Sequence, residues 1–134
     1  MIRDHGSGIK YHHDVLGFNA RLDELQAVVL RAKLLHLEHW NEMRRTHARQ
    51  YCQLLQKLPV MLPVERPGNR HVFHLFVIRT PERDAMLDAI RKNGVGAGIH
   101  YPVPIHLQKS MSSLEYLPGS LPVTERIVGE ILSL

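Results

Sequence analysis

With 134 residues, 44% of them hydrophobic and 22% charged, the chain has the length of one ordinary domain and the composition of a globular protein able to bury a core. That balance excludes a disordered chain, and apolar runs of only a few residues exclude a membrane span, which takes about 20. The formal charge of +4 comes from basic residues mixed with acids, as in Glu42-Met43-Arg44-Arg45 and Glu82-Arg83-Asp84; this describes a solvated surface, or one suited to a small anion, and not a nucleic-acid footprint.

Residues 1–18 are rich in Gly, His and Asp, show no period and read as a loop. Met1-Ile2-Arg3-Asp4-His5-Gly6 has no apolar signal-peptide core, so a cytoplasmic protein is expected. A chain that opens in loop, with nothing before it to pack against, suggests a missing N-terminal neighbour.

Asn19 is expected at a helix entrance. From about Arg21 to Leu58 no Gly or Pro intervenes, and Leu, Ala, Glu, Gln, Arg and Lys predominate, so one long helix is predicted. Leu22, Leu25, Val28, Val29 and Ala32 cover a wide arc, and the first half is therefore expected to be buried on more than one side. Leu37, Trp40, Ala48, Tyr51, Leu55 and Leu58 mark a narrower stripe. Two burial regimes in one helix indicate a crossing between structural units, which sets expected domains at 1–36 and 37–134; a single amphipathic helix on one small sheet is the alternative. Cys52 is the sole cysteine, so no internal disulfide can form, and its place on the stripe predicts a buried, inert thiol.

Pro59 ends the helix. Val60-Met61-Leu62 is a short strand at best, Glu65 to Arg70 a turn, and His71-Val72-Phe73-His74-Leu75-Phe76-Val77-Ile78-Arg79 a strand apolar on both faces and hence central, with His74 in the core. Thr80-Pro81-Glu82 offers a cap, a proline and an acid that start a helix through Ala85, Met86, Ala89 and Ile90, stopping at Gly94. Val95 to Tyr101 reads as a further strand whose glycines allow close backbone approach. Tyr101-Pro102-Val103-Pro104-Ile105-His106 is too proline-rich for regular structure, 107–122 is a loop with a short helix, and Val123 to Leu134 is a helix after Pro122, with no evident cap at its end. The predicted fold is α+β: a long N-terminal helix leading into a small mixed or antiparallel sheet with helices on one face.

Ten histidines invite a metal reading, but the spacings oppose it. His36 and His39 could share a helix face, His71 and His74 in a strand would point apart, and no zinc signature joins them. No metal site is expected.

Gly17-Phe18-Asn19-Ala20-Arg21-Leu22-Asp23-Glu24-Leu25-Gln26-Ala27, preceded by His5-Gly6-Ser7 and Lys10-Tyr11, resembles the middle of the DegT/DnrJ/EryC1/StrS sugar aminotransferases. His71 to Val77, Arg83-Asp84, Gly98 to Gln108 and Leu121 to Arg126 match further patterns of that family in the same order, so the resemblance covers practically the whole chain. It implies the C-terminal portion, including the small domain, of a fold-type I enzyme. Such enzymes use pyridoxal 5′-phosphate to move an amino group, usually from glutamate, to a nucleotide-linked keto sugar, and act as homodimers. The Lys-Tyr loop and Trp40-Asn41-Glu42-Met43-Arg44-Arg45 look most like enzymes acting on dTDP-3-keto-6-deoxyhexoses.

The lysine that holds the cofactor would lie before Met1. Burial can make a lysine nucleophilic, but Lys10 matches the following loop and not that lysine, so no catalytic residue is expected in the chain. By the resemblance, Asn19 reaches the cofactor phosphate of the neighbouring subunit, an amide at a helix start being suited to an anion; on the residues alone it is equally an ordinary N-cap. Arg21 would pair with the nucleotide diphosphate or form a surface salt bridge. His100 and Tyr101 match the His-Tyr-Pro segment near the substrate, where they can donate to sugar hydroxyls or phosphate. His106 belongs to the same segment, and Tyr11 lies in a loop close to the cofactor region in the family. Two readings compete: part of a cofactor-dependent aminotransferase that does not transaminate by itself, or a non-catalytic remnant or interaction module that folds or dimerises through its long helix.

Overall fold

The computed structural model describes residues 2–20 and 22–134. Arg21, a substrate-binding candidate, lies outside the described residues. The chain forms two compact units, one up to Trp40 and one from Asn41 to Leu134.

In the first unit the segment expected as plain loop contains a hairpin, β1 (Ser7–Ile9) antiparallel to β2 (His12–His13). Its backbone is closed by His5 N–H to Phe18 O at 3.0 Å, Ala20 N–H to Arg3 O at 2.9 Å and a bridge between Asp4 and Asn19. Two glycines make that closure possible. A Cβ on Gly6 would sit 1.7 Å from the Val15 carbonyl oxygen and one on Gly17 would sit 2.0 Å from the Gly6 nitrogen, so two stretches of backbone cross where no side chain fits. Strands this short carry no alternating pattern, which is why the sequence reads as loop.

Helix α1 (Glu24–Leu55) is one unbroken element, within the predicted bounds. Asp23 caps it: its Oδ1 accepts from the Leu25 N–H at 2.9 Å and, more weakly, from the Gln26 N–H at 3.4 Å, and its carbonyl accepts from Ala27 N–H. Asn19 is therefore not the N-cap. The wide apolar arc is not buried within this chain: Leu25 is 79% exposed and Val28 66%, and the one fully buried residue of α1 is Ala48 in its second half.

The second unit holds the core, made of Ala48, Phe76, Ile78, Leu87 and Leu132, with Tyr51, Cys52 and Leu55 of α1 packed against it. Cys52 is half-buried. Strand β3 (Val77–Arg79) pairs antiparallel with β4 (Ile131–Ser133), setting Ile78 opposite Leu132; Met61 bridges to Arg79 on one side and Gly98 to Ser133 on the other. The sheet is thus small and antiparallel throughout. Helix α2 (Arg83–Lys92) begins where the Thr80 hydroxyl accepts from the Glu82 N–H. It ends in a paired closure, Gly94 N–H to Arg91 O and Val95 N–H to Ile90 O, with Gly94 at φ +76°. Helix α3 (Pro122–Glu130) starts on its proline.

Four expectations change here. The central strand over 71–79 shrinks to Val77–Arg79. Upstream, the His71 and Val72 carbonyls accept from the Arg45 and Arg44 guanidinium groups at 2.7 and 3.1 Å, so side chains of α1 satisfy backbone that a ladder would otherwise have paired. His74 is exposed and not in the core. The strand over 95–101 reduces to the Gly98 bridge. The helix drawn through to Leu134 stops at Glu130, and the last residues turn into β4, where Leu132 is fully buried. No helix among the described residues is long and apolar enough to cross a membrane.

Candidate functional site

The candidate residues fall in both units. In the first, Asn19 is exposed, and its side chain makes no hydrogen bond among the described residues; with Asp23 already capping α1, its amide is left available. Tyr11 stands at the hairpin turn, 81% exposed, with φ +69° and the Lys10 ammonium 5.0 Å above its ring.

In the second unit, His100 and Tyr101 follow the Gly98 bridge, joined by a cis peptide. The His100 Nδ1 lies 3.0 Å from the Ser133 Oγ, and the ring meets Tyr101 edge-on at 5.7 Å. Tyr101 is 73% exposed, its hydroxyl free of partners among the described residues. His106 differs. It is buried, its Nε2 lies 3.0 Å from Glu125 Oε1, and Tyr116 packs edge-on against its ring. The structure thus engages His106 in an internal contact while leaving Tyr101 open.

Glu125 is the hub of that contact. One of its oxygens accepts from the Gly119 N–H at 2.7 Å and the other from the Leu121 N–H at 3.1 Å as well as meeting His106. The Gly119 amide, then His106, then the Leu121 amide hold its carboxyl below the ordinary carboxylate range, because each stabilises the charged form. The remaining hydrogen bonds within residues 101–121 are short-range, so among the described residues this carboxylate is what ties the proline-rich segment and the 115–121 turn to α3. Sequence reasoning passed over Glu125 and Ser133. An acid in the first turn of a helix opened by Pro122 is a usable signal for the former, since unpaired N–H groups gather there. Ser133 gave none while the tail read as helix.

A cleft of about 570 Å³ lined by Leu58, Met61, Arg79, Arg126 and Glu130 contains none of the candidate residues. At its polar end Arg79 donates to Glu130 from Nε at 3.0 Å, and Arg126 approaches the same carboxylate at 4.0 Å.

The model of the DegT/DnrJ/EryC1/StrS aminotransferase family matches residues 1–134. The chain is 45% identical over its whole length to a "pleiotropic regulatory protein" of Geobacillus stearothermophilus, covering 37% of that protein. It is 42% identical to dTDP-3-amino-3,4,6-trideoxy-alpha-D-glucose transaminase of Streptomyces venezuelae, covering 36% of it. Among solved structures, S. venezuelae DesV in complex with a ketimine intermediate superposes with a TM-score of 0.89 at 42% identity, over all of this chain and 36% of that one. Bacillus subtilis ntda with bound cofactor PMP gives 0.77 at 28% identity, over 99% of this chain and 33% of the other. The chain therefore spans little more than a third of the length of the relatives it matches.

Proposed function

The chain belongs to the DegT/DnrJ/EryC1/StrS aminotransferase family, and on that premise we propose that it is the C-terminal part of an enzyme transferring an amino group from glutamate to a nucleotide-linked keto sugar. A dTDP-linked 3-keto-6-deoxyhexose is the substrate we favour, because the S. venezuelae relative is a dTDP-sugar transaminase. Pyridoxal phosphate, when bound in the intact enzyme, supplies the electron sink through which nitrogen leaves one partner and enters the other. The fit of this chain to that group rests on Asn19: its amide has no partner among the described residues and the capping role belongs to Asp23, which leaves an N–H₂ donor for a phosphate oxygen of the neighbouring subunit's cofactor. That free amide is the observation that carries the proposal.

The other residues bind and orient. Tyr101 and His100 donate to sugar hydroxyls or diphosphate oxygens, Tyr11 borders the cofactor region, and Arg21 pairs with the diphosphate. His106 acts from behind, through Glu125, by fixing the segment that carries the first two. Lys10 lies exposed over the Tyr11 ring in the loop that follows the family's cofactor lysine, and on this reading the 134 residues by themselves do not transaminate.

A chimera tests this reading: this chain replaces the matched third of the S. venezuelae relative. The chimera is expected to transaminate, and Asn19→Ala to weaken cofactor retention. An Asn19→Ala chimera that holds cofactor as firmly as its parent removes Asn19 from the site. Borohydride reduction of the isolated chain with the cofactor should label no single lysine; specific labelling of Lys10 would mean that the chain can hold the cofactor covalently by itself.

A second reading has its own observation. Leu25, Val28, Val29 and Leu34 of α1 are all more than half exposed, the surface of an association module that needs no cofactor. Sedimentation of the chain as a monomer across micromolar concentrations removes that reading.

A further inference from the structure

The backbone beside His100 holds its ring in one place, and two residues far apart in sequence do so together. Gly98 and Ser133 face each other across the sheet edge and exchange both backbone hydrogen bonds, Gly98 N–H to Ser133 O at 3.0 Å and Ser133 N–H to Gly98 O at 2.8 Å. The Ser133 side chain, in a residue only 4% exposed, lies 3.0 Å from His100 Nδ1. Gly98 has no left-handed φ to explain its lack of a side chain; a Cβ there would come 3.1 Å from His100 Cε1 and 3.7 Å from Nε2, so the missing side chain makes room for the imidazole. Among the described residues nothing meets Nε2.

We infer that the Gly98–Ser133 pair is a positioning device for His100. Gly98 lets the ring lie against the strand, and the Ser133 hydroxyl engages Nδ1, so that Nε2 is the nitrogen offered to a hydroxyl or phosphate oxygen of the ligand. A free imidazole samples several rotamers, and a ring fixed before binding loses less entropy when the ligand arrives. The register of β4 against the Gly98 bridge sets the device, because a slip of one residue would turn the Ser133 side chain to the opposite face. The functional half of the inference rests on the reading of His100 given above; the structural half does not.

Nuclear Overhauser spectroscopy of the whole chain tests the structural half. A cross-peak between the His100 Hε1 and the Gly98 Hα protons is expected in the native chain, lost in Ser133→Ala, and kept in Ser133→Thr, which retains the hydroxyl. Its absence from the native chain, or its persistence in Ser133→Ala, overturns the inference. In the chimera, Ser133→Ala is expected to raise KM for the sugar substrate by about two- to tenfold, the worth of one hydrogen bond, with kcat nearly unchanged and Ser133→Thr close to native. A normal cross-peak pattern with unmoved KM overturns only the functional half, and with it the role of His100 in binding. Loss of the cross-peak without any change in the dispersion of the core methyl signals separates ring release from unfolding.

Discussion

The two halves of α1 both carry apolar residues, the first more densely than the second, and meet opposite fates. Up to Trp40 they stand in the open, with Leu35 at 82% exposure, whereas beyond Asn41 the helix buries Ala48 at 3% and lays Tyr51, Cys52 and Leu55 on the core, Tyr51 stacking on Phe76 at 5.2 Å. The lesson is that a periodic apolar stripe records that a surface is to be covered without recording by what. In the second half the cover is the sheet of the same unit; in the first, nothing among the described residues of this chain supplies it. About 25 cal/mol for each Å² withdrawn from water gives the second half its hold, a contribution the exposed first half does not draw from the described residues.

That contrast can be broken most forcefully at the centre of the second unit. Leu132→Ala, at a fully buried position facing Ile78, is expected to cost about 2–5 kcal/mol in a urea melt followed by circular dichroism. A cost within experimental error would mean that the core lies elsewhere. The next effect concerns Glu125, whose folded-state pKa lies below the ordinary value of 4.5. Its contribution is whole above that ordinary range and drains away as pH falls through the lower folded value, since the unfolded chain then binds the proton more readily. Glu125→Gln should remove this acid-limb dependence and speed hydrogen exchange at the Gly119 and Leu121 amides; an unchanged acid limb would show that the carboxylate holds nothing. At the start of α1, Asp23→Ala should cost about 1 kcal/mol of helix stability, read as faster exchange at Leu25 and Gln26, and the unsupported first half should fray first. The smallest effect sharpens the comparison: Leu25→Ala, at a site 79% exposed, should change the stability of the chain by no more than about 0.5 kcal/mol. If it instead costs as much as Leu132→Ala, something covers the first half after all.

Much of the fold is legible residue by residue. The span of α1 follows from an uninterrupted run of good helix formers closed by Pro59, and the end of α2 from Gly94, whose φ of +76° suits it to the paired closure seen there. The candidate site is legible only in part. Tyr101 and Asn19 are exposed, whereas His106 is engaged by Glu125, and nothing in the local pattern around Ile105-His106-Leu107 distinguishes a histidine that meets a ligand from one that meets a carboxylate nineteen residues on. The hairpin at Ser7–His13 escaped notice for another reason: it is held by backbone bonds and by two glycines that cross, neither of which leaves a hydrophobic period.

By itself the sequence determined what local chemistry can decide: which runs favour helix, where proline and glycine stop them, and which ordered segments mark the family. Tertiary structure decided what depends on partners distant along the chain. Val72-Phe73-His74 became irregular because Arg44 and Arg45 took the Val72 and His71 carbonyls, and Ile131-Leu132-Ser133 became a strand because β3 offered an open edge and the core a place for Leu132. The physical reason is common to both. A backbone group or an apolar side chain has the same need in helix, strand or coil, and which neighbour meets that need is fixed only when the chain has folded.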